Sequence, residues 1–428
     1  MAPRLKTLET ILTNHTVLTD WFAPAKAALE KVRFSDKIFA TLSMNLFILQ
    51  NCVRQINTSD TLRDHLQHLF HLDDEATTIP LARSTYSDAL ASNNRLSIVS
   101  QVIDHLVKEA TEVLPDRLSG LEGIGDRSVY GMDGTYQKES CHFKPITPRQ
   151  GGTDSSKGHL ELAVFNLRAG IPVNVDIDTS SISEIRFVKE RWEHDELTQQ
   201  KNSLWVVDRG FIDSGYWDIR KQNHGVTMIT RMKANLNYTV LKTLKVTCSS
   251  KKQGVKRDQI IQLNCSKESW RLVGYQSDSG EYYEYLTNEF ELKSGVIAFL
   301  YHRRWDEEKY FDNYKNDMAN AKAWGKNKTA IKQQALIGII TFILTRLFSE
   351  KYAKQFGMPT DGNTQKTRHQ KKQKNYLAGK SQDGFRAFHT NLSKVTKQVW
   401  RFLKGCMLKT SRKQLYEAQL RPLMTAYI

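Results

Sequence analysis

Residues Tyr301-His302-Arg303-Arg304-Trp305-Asp306-Glu307-Glu308-Lys309-Tyr310-Phe311-Asp312-Asn313-Tyr314-Lys315 form the most informative stretch of the chain. On a helix turning about 100° per residue, with Tyr301 at 0°, Arg304 falls at about 300°, Glu308 at about 340° and Lys315 at about 320°. One stripe then holds a carboxylate flanked by a phenol, a guanidinium and an ammonium, which suits a metal ligand beside phosphate contacts. The competing reading is a solvated face with an ordinary Arg304–Glu308 pair at i,i+4 spacing. Two upstream carboxylates bear on the choice. Asp133 ends the strand signal Ser128-Val129-Tyr130-Gly131-Met132 and is followed by Gly134-Thr135. Asp208 ends the apolar run Leu204-Trp205-Val206-Val207 and is followed by Arg209-Gly210-Phe211. An acid at the C-terminal edge of a buried strand, beside a glycine, stands where α/β sheets build their sites. For either Asp alone, a turn or a helix cap is the competing explanation.

The elements that must position these groups can be read from periodicity. Residues 1–115 lack glycine and repeat apolar positions at helical spacing, as in Ile38-Leu42-Leu46-Leu49 and Leu96-Val99-Val102-Ile103-Leu106. Pro115 and glycines 120, 123 and 125 mark a boundary. Strand signals follow over 128–133, 160–165 and 173–178, then a helix near 182–197, the strand 204–207, a helix near 216–222 and a strand over 226–230. Three successive strands followed by alternating strands and helices predict a mixed α/β sheet. Residues 236–293 read as a β-rich insertion, and helical spacing resumes from Ser294 and again over 330–347. The expected division is 1–115 helical, 116–235 first part of the core, 236–293 insertion, 294–350 second part of the core and 351–428 a basic C-terminal region.

The chain has 428 residues and a formal charge of +16. Residues 351–428 hold 17 Lys+Arg against 3 Asp+Glu, a net of +14, so nearly the whole excess lies there. This concentration, densest at Lys366, Arg368, Lys371, Lys372 and Lys374, points to a polyanion; a solvated tail or an acidic membrane surface is the alternative. The apolar stretch 335–348 carries Thr341, Thr345 and Arg346, is too short to span a bilayer and reads as a buried core helix. Five scattered cysteines without a CxxC spacing argue against a disulfide framework or zinc site, and the N-terminus carries no signal-peptide pattern, so a reducing cytoplasmic setting is expected.

The spacing Tyr301-x2-Arg304-x3-Glu308-x6-Lys315 resembles the Y-(2)-R-(3)-E-(6)-K signature of the IS4 family of DDE transposases. Asp133 in Met-Asp-Gly-Thr and Asp208 in Val-Asp-Arg-Gly-Phe resemble that family's two other catalytic acids, and the likeness covers residues 127–317. It implies an RNase H-like core with Asp133, Asp208 and Glu308 as a catalytic, metal-binding triad, spaced 75 and 100 residues apart. It also implies that Tyr301, Arg304 and Lys315 contact DNA phosphates. The implied cofactor is two Mg²⁺ ions, with Mn²⁺ as substitute, about 3.5–4 Å apart, activating a nucleophile and stabilising the leaving oxygen. Without metal, three packed acids would repel one another. The implied reaction is cut-and-paste transposition of an insertion sequence through a hairpin intermediate. Its implied partners are double-stranded transposon-end and target DNA, with the helical domain 1–115 binding the terminal inverted repeats and a helical basic C-terminal region adding contacts, and a second subunit in a synaptic complex, near the nucleoid and with no membrane.

Other residues are weaker candidates. A base flipped from a hairpin end would need a stacking aromatic; Trp270 is the candidate, with a core position as the alternative. Arg231 and Lys233 follow a strand and either face DNA or sit on the surface. Lys157 and His159 are candidates for the neighbourhood of the site, and Asp176 and Asp178 share a strand face and compete as site acids. Gly152-Thr153-Asp154-Ser155-Ser156-Lys157-Gly158 lacks the Gly-Lys-Ser/Thr order of a P-loop, so no ATP is implied. His65, His68 and His71 read as a polar helix face rather than a zinc site. No Gly-x-Ser-x-Gly supports a serine hydrolase. The rival functions are a DNA-binding protein without catalysis and a metal-dependent nuclease without strand transfer.

Overall fold

A computed structural model describes residues 16–35, 39, 41–56, 82–138, 158–179, 182–193, 195–277, 280–304, 310, 311, 314, 318, 323–325 and 327–355. The C-terminal basic region beyond residue 355, Lys157, the histidines at 65, 68 and 71, and the expected site residues Glu308 and Lys315 lie outside the described residues.

Among the described residues nine strands form one mixed sheet in the order β3-β2-β1-β4-β5-β9-β8-β7-β6. Strands β1 (Val129–Lys138), β2 (Gly158–Asn166) and β3 (Ile171–Thr179) make an antiparallel meander. Strand β4 (Leu204–Val207) runs parallel to β1, and β5 (Thr227–Arg231) runs parallel to β4. All four residues of β4 are buried. That is what a strand covered on both faces requires, and it explains why its sequence is an unbroken apolar run rather than an alternation.

Side chains of β1 alternate between two cores. Val129 faces a core that also holds α4 (Asn93–Val113), α8 (Ser294–Arg303) and α9 (Lys328–Gln355). Tyr130 and Met132 face the opposite core, built with Phe187 of α5 (Glu184–Arg191) and Trp217 of α6 (Ser214–His224). Helix α6 is capped by the Asp213 carboxylate and ends at Gly225, whose φ of 68° lies in the left-handed region that glycine adopts without a Cβ clash.

The N-terminal helices α1 (Thr16–Glu30), α2 (Met44–Ile56), α3 (Arg83–Leu90) and α4 share the first core with α9. Trp21 of α1 donates its indole N–H to Thr345 of α9 at 3.3 Å, and Gln333 donates to the Leu90 carbonyl at 2.7 Å. The boundary expected near residue 115 is therefore a turn in the chain and not a break in the core. Helix α9 is the only stretch among the described residues long and apolar enough to cross a membrane, and 94% of its apolar window is buried inside the protein. It is the central packing helix, as its interspersed Thr341 and Arg346 suggest.

The β-rich insertion is not a separate sheet. Strands β6 (Tyr238–Thr243), β7 (Val255–Leu263), β8 (Ser269–Gln276) and β9 (Tyr282–Thr287) continue the core sheet. Strand β9 pairs antiparallel with β5 through Ile229–Thr287 and Arg231–Tyr285. Inside the insertion Arg271 and Asp258 form a buried ion pair at 2.7 Å, each partner satisfying a charge that would be costly to bury alone.

Candidate active site

The parallel register of β1 and β4 ends at Met132 opposite Val207. The next residue on each strand is an aspartate, so Asp133 and Asp208 stand side by side on strands about 4.8 Å apart. Both lie on the sheet face shared with α8. Each uses Oδ1 to accept the backbone N–H of a following glycine, Gly134 at 2.9 Å and Gly210 at 2.5 Å. Those bonds fix the carboxylate orientations. The hydroxyl of Thr230 on β5 donates to the Asp208 carbonyl at 3.0 Å and holds that corner against the third parallel strand.

Helix α8 delivers the basic side chains. Arg304 caps its C-terminus and places Nη1 3.6 Å from Asp133 Oδ2. The Arg304 guanidinium lies 5.6 Å from the centre of the Tyr301 ring, so these two residues do share a face. Tyr301 is buried, its ring 4.9 Å from that of Tyr285. Burial pushes the Tyr301 phenol up from its ordinary range; the Arg304 and Arg231 charges pull it down and the Asp208 charge adds to the rise. Arg231, at the end of β5, stacks on Tyr283 at 4.9 Å. Lys233 follows it and is half-buried. The structure thus brings together Asp133, Asp208, Tyr301, Arg304 and Arg231. The α-helix ends at Arg303, and the expected stripe onward through Glu308 and Lys315 passes outside the described residues.

Several expected residues are placed elsewhere. Trp270 is 1% exposed, and its indole N–H donates to Asp218 at 3.1 Å on the opposite face of the sheet. No base can stack on it in this arrangement, and it is a core residue. Asp176 is paired with Lys332 at 2.9 Å and Asp178 with Arg191 at 2.6 Å, so neither competes as a site acid. His159 is buried against Glu161 at 3.1 Å.

One acid was missed. Glu184, the first residue of α5, lies close to both glycines from the α5 side of the sheet: a Cβ added at Gly134 or Gly210 would overlap one of its carboxylate oxygens. A Cβ at Gly210 would also come within 2.8 Å of Asp208 Oδ1. In sequence Glu184 is an acid in the first turn of a helix, where the dipole favours it, and nothing there ties it to glycines 134 and 210. The donor set suits a hard divalent cation, because adjacent carboxylates offer oxygen ligands and the two glycines keep side chains out of the corner. Among the described residues no three metal-ligating side chains converge, and the third expected acid, Glu308, lies outside them.

Comparison with known proteins bears on the reading. Residues 146–344 match the family model described as the transposase DDE domain. The matched span begins after Asp133 and includes Asp208 and Glu308. No curated protein matches the chain. Among solved structures the chain is similar to a cryo-EM structure of a piggyBac transposase synaptic complex with hairpin DNA, at 12% identity and a TM-score of 0.41, over 99% of this chain and 85% of that one. The match of residues 146–344 supports a DDE transposase.

Proposed function

We propose that this protein is a DDE transposase that cuts and joins DNA by cut-and-paste transposition, with Asp133, Asp208 and Glu308 as its metal-holding acids. The observation that carries the reading is the side-by-side placement of Asp133 and Asp208 at the ends of two parallel strands, in a chain matching the transposase DDE domain. The β3-β2-β1-β4-β5 order supports an RNase H-like core, onto which β6–β9 are added. The YREK spacing supports placement in the IS4 family.

In this reading Asp133 and Asp208 hold divalent ions, with Glu308 as third ligand. Bound Mg²⁺ would activate the attacking water or 3′-hydroxyl and stabilise the leaving 3′-oxygen. Arg304, Arg231 and Lys315 bind phosphate oxygens on either side of the scissile bond, and Tyr301 supports Arg304 from beneath. Lys233 adds a backbone contact at the mouth of the site. The substrates are transposon ends and target DNA, with two copies of the chain pairing two ends. The basic region 351–428 supplies sequence-independent affinity and predicts binding that weakens steeply with salt, by a slope of about −0.9 per phosphate neutralised.

The test uses labelled end DNA with Mg²⁺ and compares the native chain with Asp133→Asn, Asp208→Asn and Glu308→Gln. Loss of cutting in all three variants, with DNA binding retained, is the expected result. Equal cleavage by all four proteins removes the assignment. Tight binding to correct ends without any Mg²⁺-dependent cutting favours a DNA-binding protein on the same fold.

A further inference from the structure

Besides Asp208, another carboxylate lies on the same sheet face as Asp133, on the neighbouring strand β2. In the β1–β2 register Asp133 faces Ala163 and Thr135 faces Glu161, so Asp133 and Glu161 point to the same side. Glu161 is 2% exposed, a burial that an acid tolerates only when its charge is compensated. Its Oε1 lies 3.1 Å from His159 Nε2 and accepts the hydroxyl of Tyr314 at 3.3 Å. Its Oε2 has no hydrogen-bond partner among the described residues.

Tyr314 precedes Lys315 in the chain and follows Glu308 by six residues. It is 1% exposed. Burial first, and the Glu161 charge second, push its phenol well above the ordinary tyrosine range, so it stays protonated and serves as a donor. The Tyr310 ring lies tilted 5.6 Å from that of Tyr314, edge-on 5.2 Å from Phe342 on α9 and 6.2 Å from Phe165 on β2. Ring packing of this kind holds a segment down but tolerates sliding and rotation. A hydrogen bond to a fixed buried carboxylate does not. An apolar side chain at position 161 would fill the same space with no desolvation penalty, so the ionisable group implies a demand for register that packing does not meet.

We propose that Glu161, braced by His159, is a positioning residue for the proposed metal site: by accepting the Tyr314 hydroxyl it fixes Tyr314, six residues after Glu308 in the sequence, against the sheet face that carries Asp133. This inference rests on the transposase reading for the role of Glu308, but the Glu161–Tyr314 contact itself does not.

The test compares the full-length native chain with Tyr314→Phe, Glu161→Gln and the double variant. Three quantities are measured: the single-turnover rate of Mg²⁺-dependent cutting, the Kd for end DNA, and Mn²⁺ affinity from the paramagnetic resonance of free Mn²⁺. The expected result is a loss of about 10–100-fold in rate and in Mn²⁺ affinity, the range for residues that orient a metal ligand. The Kd for DNA should stay within about twofold, and the double variant should be no worse than the poorer single one. Tyr314→Phe is nearly isosteric, so it decides the matter even where Glu161→Gln folds poorly. Native rate and Mn²⁺ affinity in Tyr314→Phe overturn the inference, as do losses that multiply in the double variant. A native chain that fails to cut its own ends instead brings down the transposase reading, and the Mn²⁺ comparison still decides the positioning role.

Discussion

Arg304 Nη1 stands 3.6 Å from Asp133 Oδ2, with the two side chains 12% and 16% exposed. A guanidinium at this spot neutralises one acid of an adjacent pair while still opening to solvent. In the proposed function it would exchange the carboxylate for a phosphate oxygen on DNA binding. Arg304→Ala is expected to lower the single-turnover cutting rate by about 10²–10³-fold, the range for removing one preorganised charge-stabilising donor. Arg304→Lys should recover only part of that loss, since an ammonium lacks the planar fork. Quench-flow measurements at saturating DNA check both.

The adjacency of Asp133 and Asp208 carries a stability consequence. Arg304 offsets the charge of Asp133 only in part, so the two carboxylates on neighbouring strands still repel when no divalent cation lies between them. In EDTA, Asp208→Asn should raise the thermal midpoint, equivalent to about 0.5–2 kcal/mol, because the amide oxygen still accepts the Gly210 N–H while the repulsion is removed. Added Mg²⁺ or Mn²⁺ should raise the midpoint of the native chain and leave that of the variant nearly unchanged. Differential scanning calorimetry with and without metal reads out both effects.

At the opposite end of the strands Arg127 binds Glu289 at 2.7 Å and Thr227 at 2.7 Å, and also reaches the Asn202 carbonyl at 3.0 Å. Burial alone would raise the Glu289 pKa; Arg127, the Glu291 N–H and the Thr227 hydroxyl overcome it and hold the carboxyl below its ordinary value. A depressed folded-state pKa means the contribution is complete above the unfolded value of about 4.3 and disappears as pH falls through the folded one. Arg127→Ala should cost about 3–5 kcal/mol at neutral pH by leaving a buried carboxylate uncompensated. The difference between native and variant should shrink below about pH 4, as Glu289 takes up a proton. Urea titrations across that pH range test it.

Trp270 offers a sharp separation between packing and DNA contact. Trp270→Ala is expected to destabilise the chain by about 3–5 kcal/mol through the cavity it leaves. Trp270→Phe should lose less, keeping the ring but forgoing the bond to Asp218. Neither variant should change the affinity of the folded protein for end DNA. Denaturant midpoints and fluorescence anisotropy, measured on the same preparations, distinguish the two roles.

The strands that carry the acids were legible because their burial is written in their composition. Leu204–Val207 could only be a doubly covered strand, and the alternation over 173–178 fell within β3. What escaped was set by contacts between distant segments. That the insertion extends the core sheet is not legible, because nothing in Tyr282–Thr287 announces β5 as its partner; that pairing is a matter of edge geometry, not of pattern. Trp270 looked available because a tryptophan in a polar β region carries no mark of the Asp218 waiting for its N–H. Glu184 looked like a helix-terminal acid, since its proximity to glycines 134 and 210 arises only once α5 folds back across the strand ends. The helical stripe from Tyr301 to Lys315 rests on one uninterrupted helix, of which only Tyr301 to Arg304 lies among the continuously described residues.

Because β9 zips onto β5 along Ile229–Arg231, the added strands act as a lid on what would be a raw sheet margin. Excising residues 236–288 to obtain a minimal enzyme would strip that cover. The exposed flank of β5 would then offer unpaired amides and carbonyls to any extended chain nearby, including a second copy of itself. The shortened protein should accumulate as soluble oligomers or inclusion bodies, so the four outer strands serve as a guard against aggregation as well as any duty they perform on DNA.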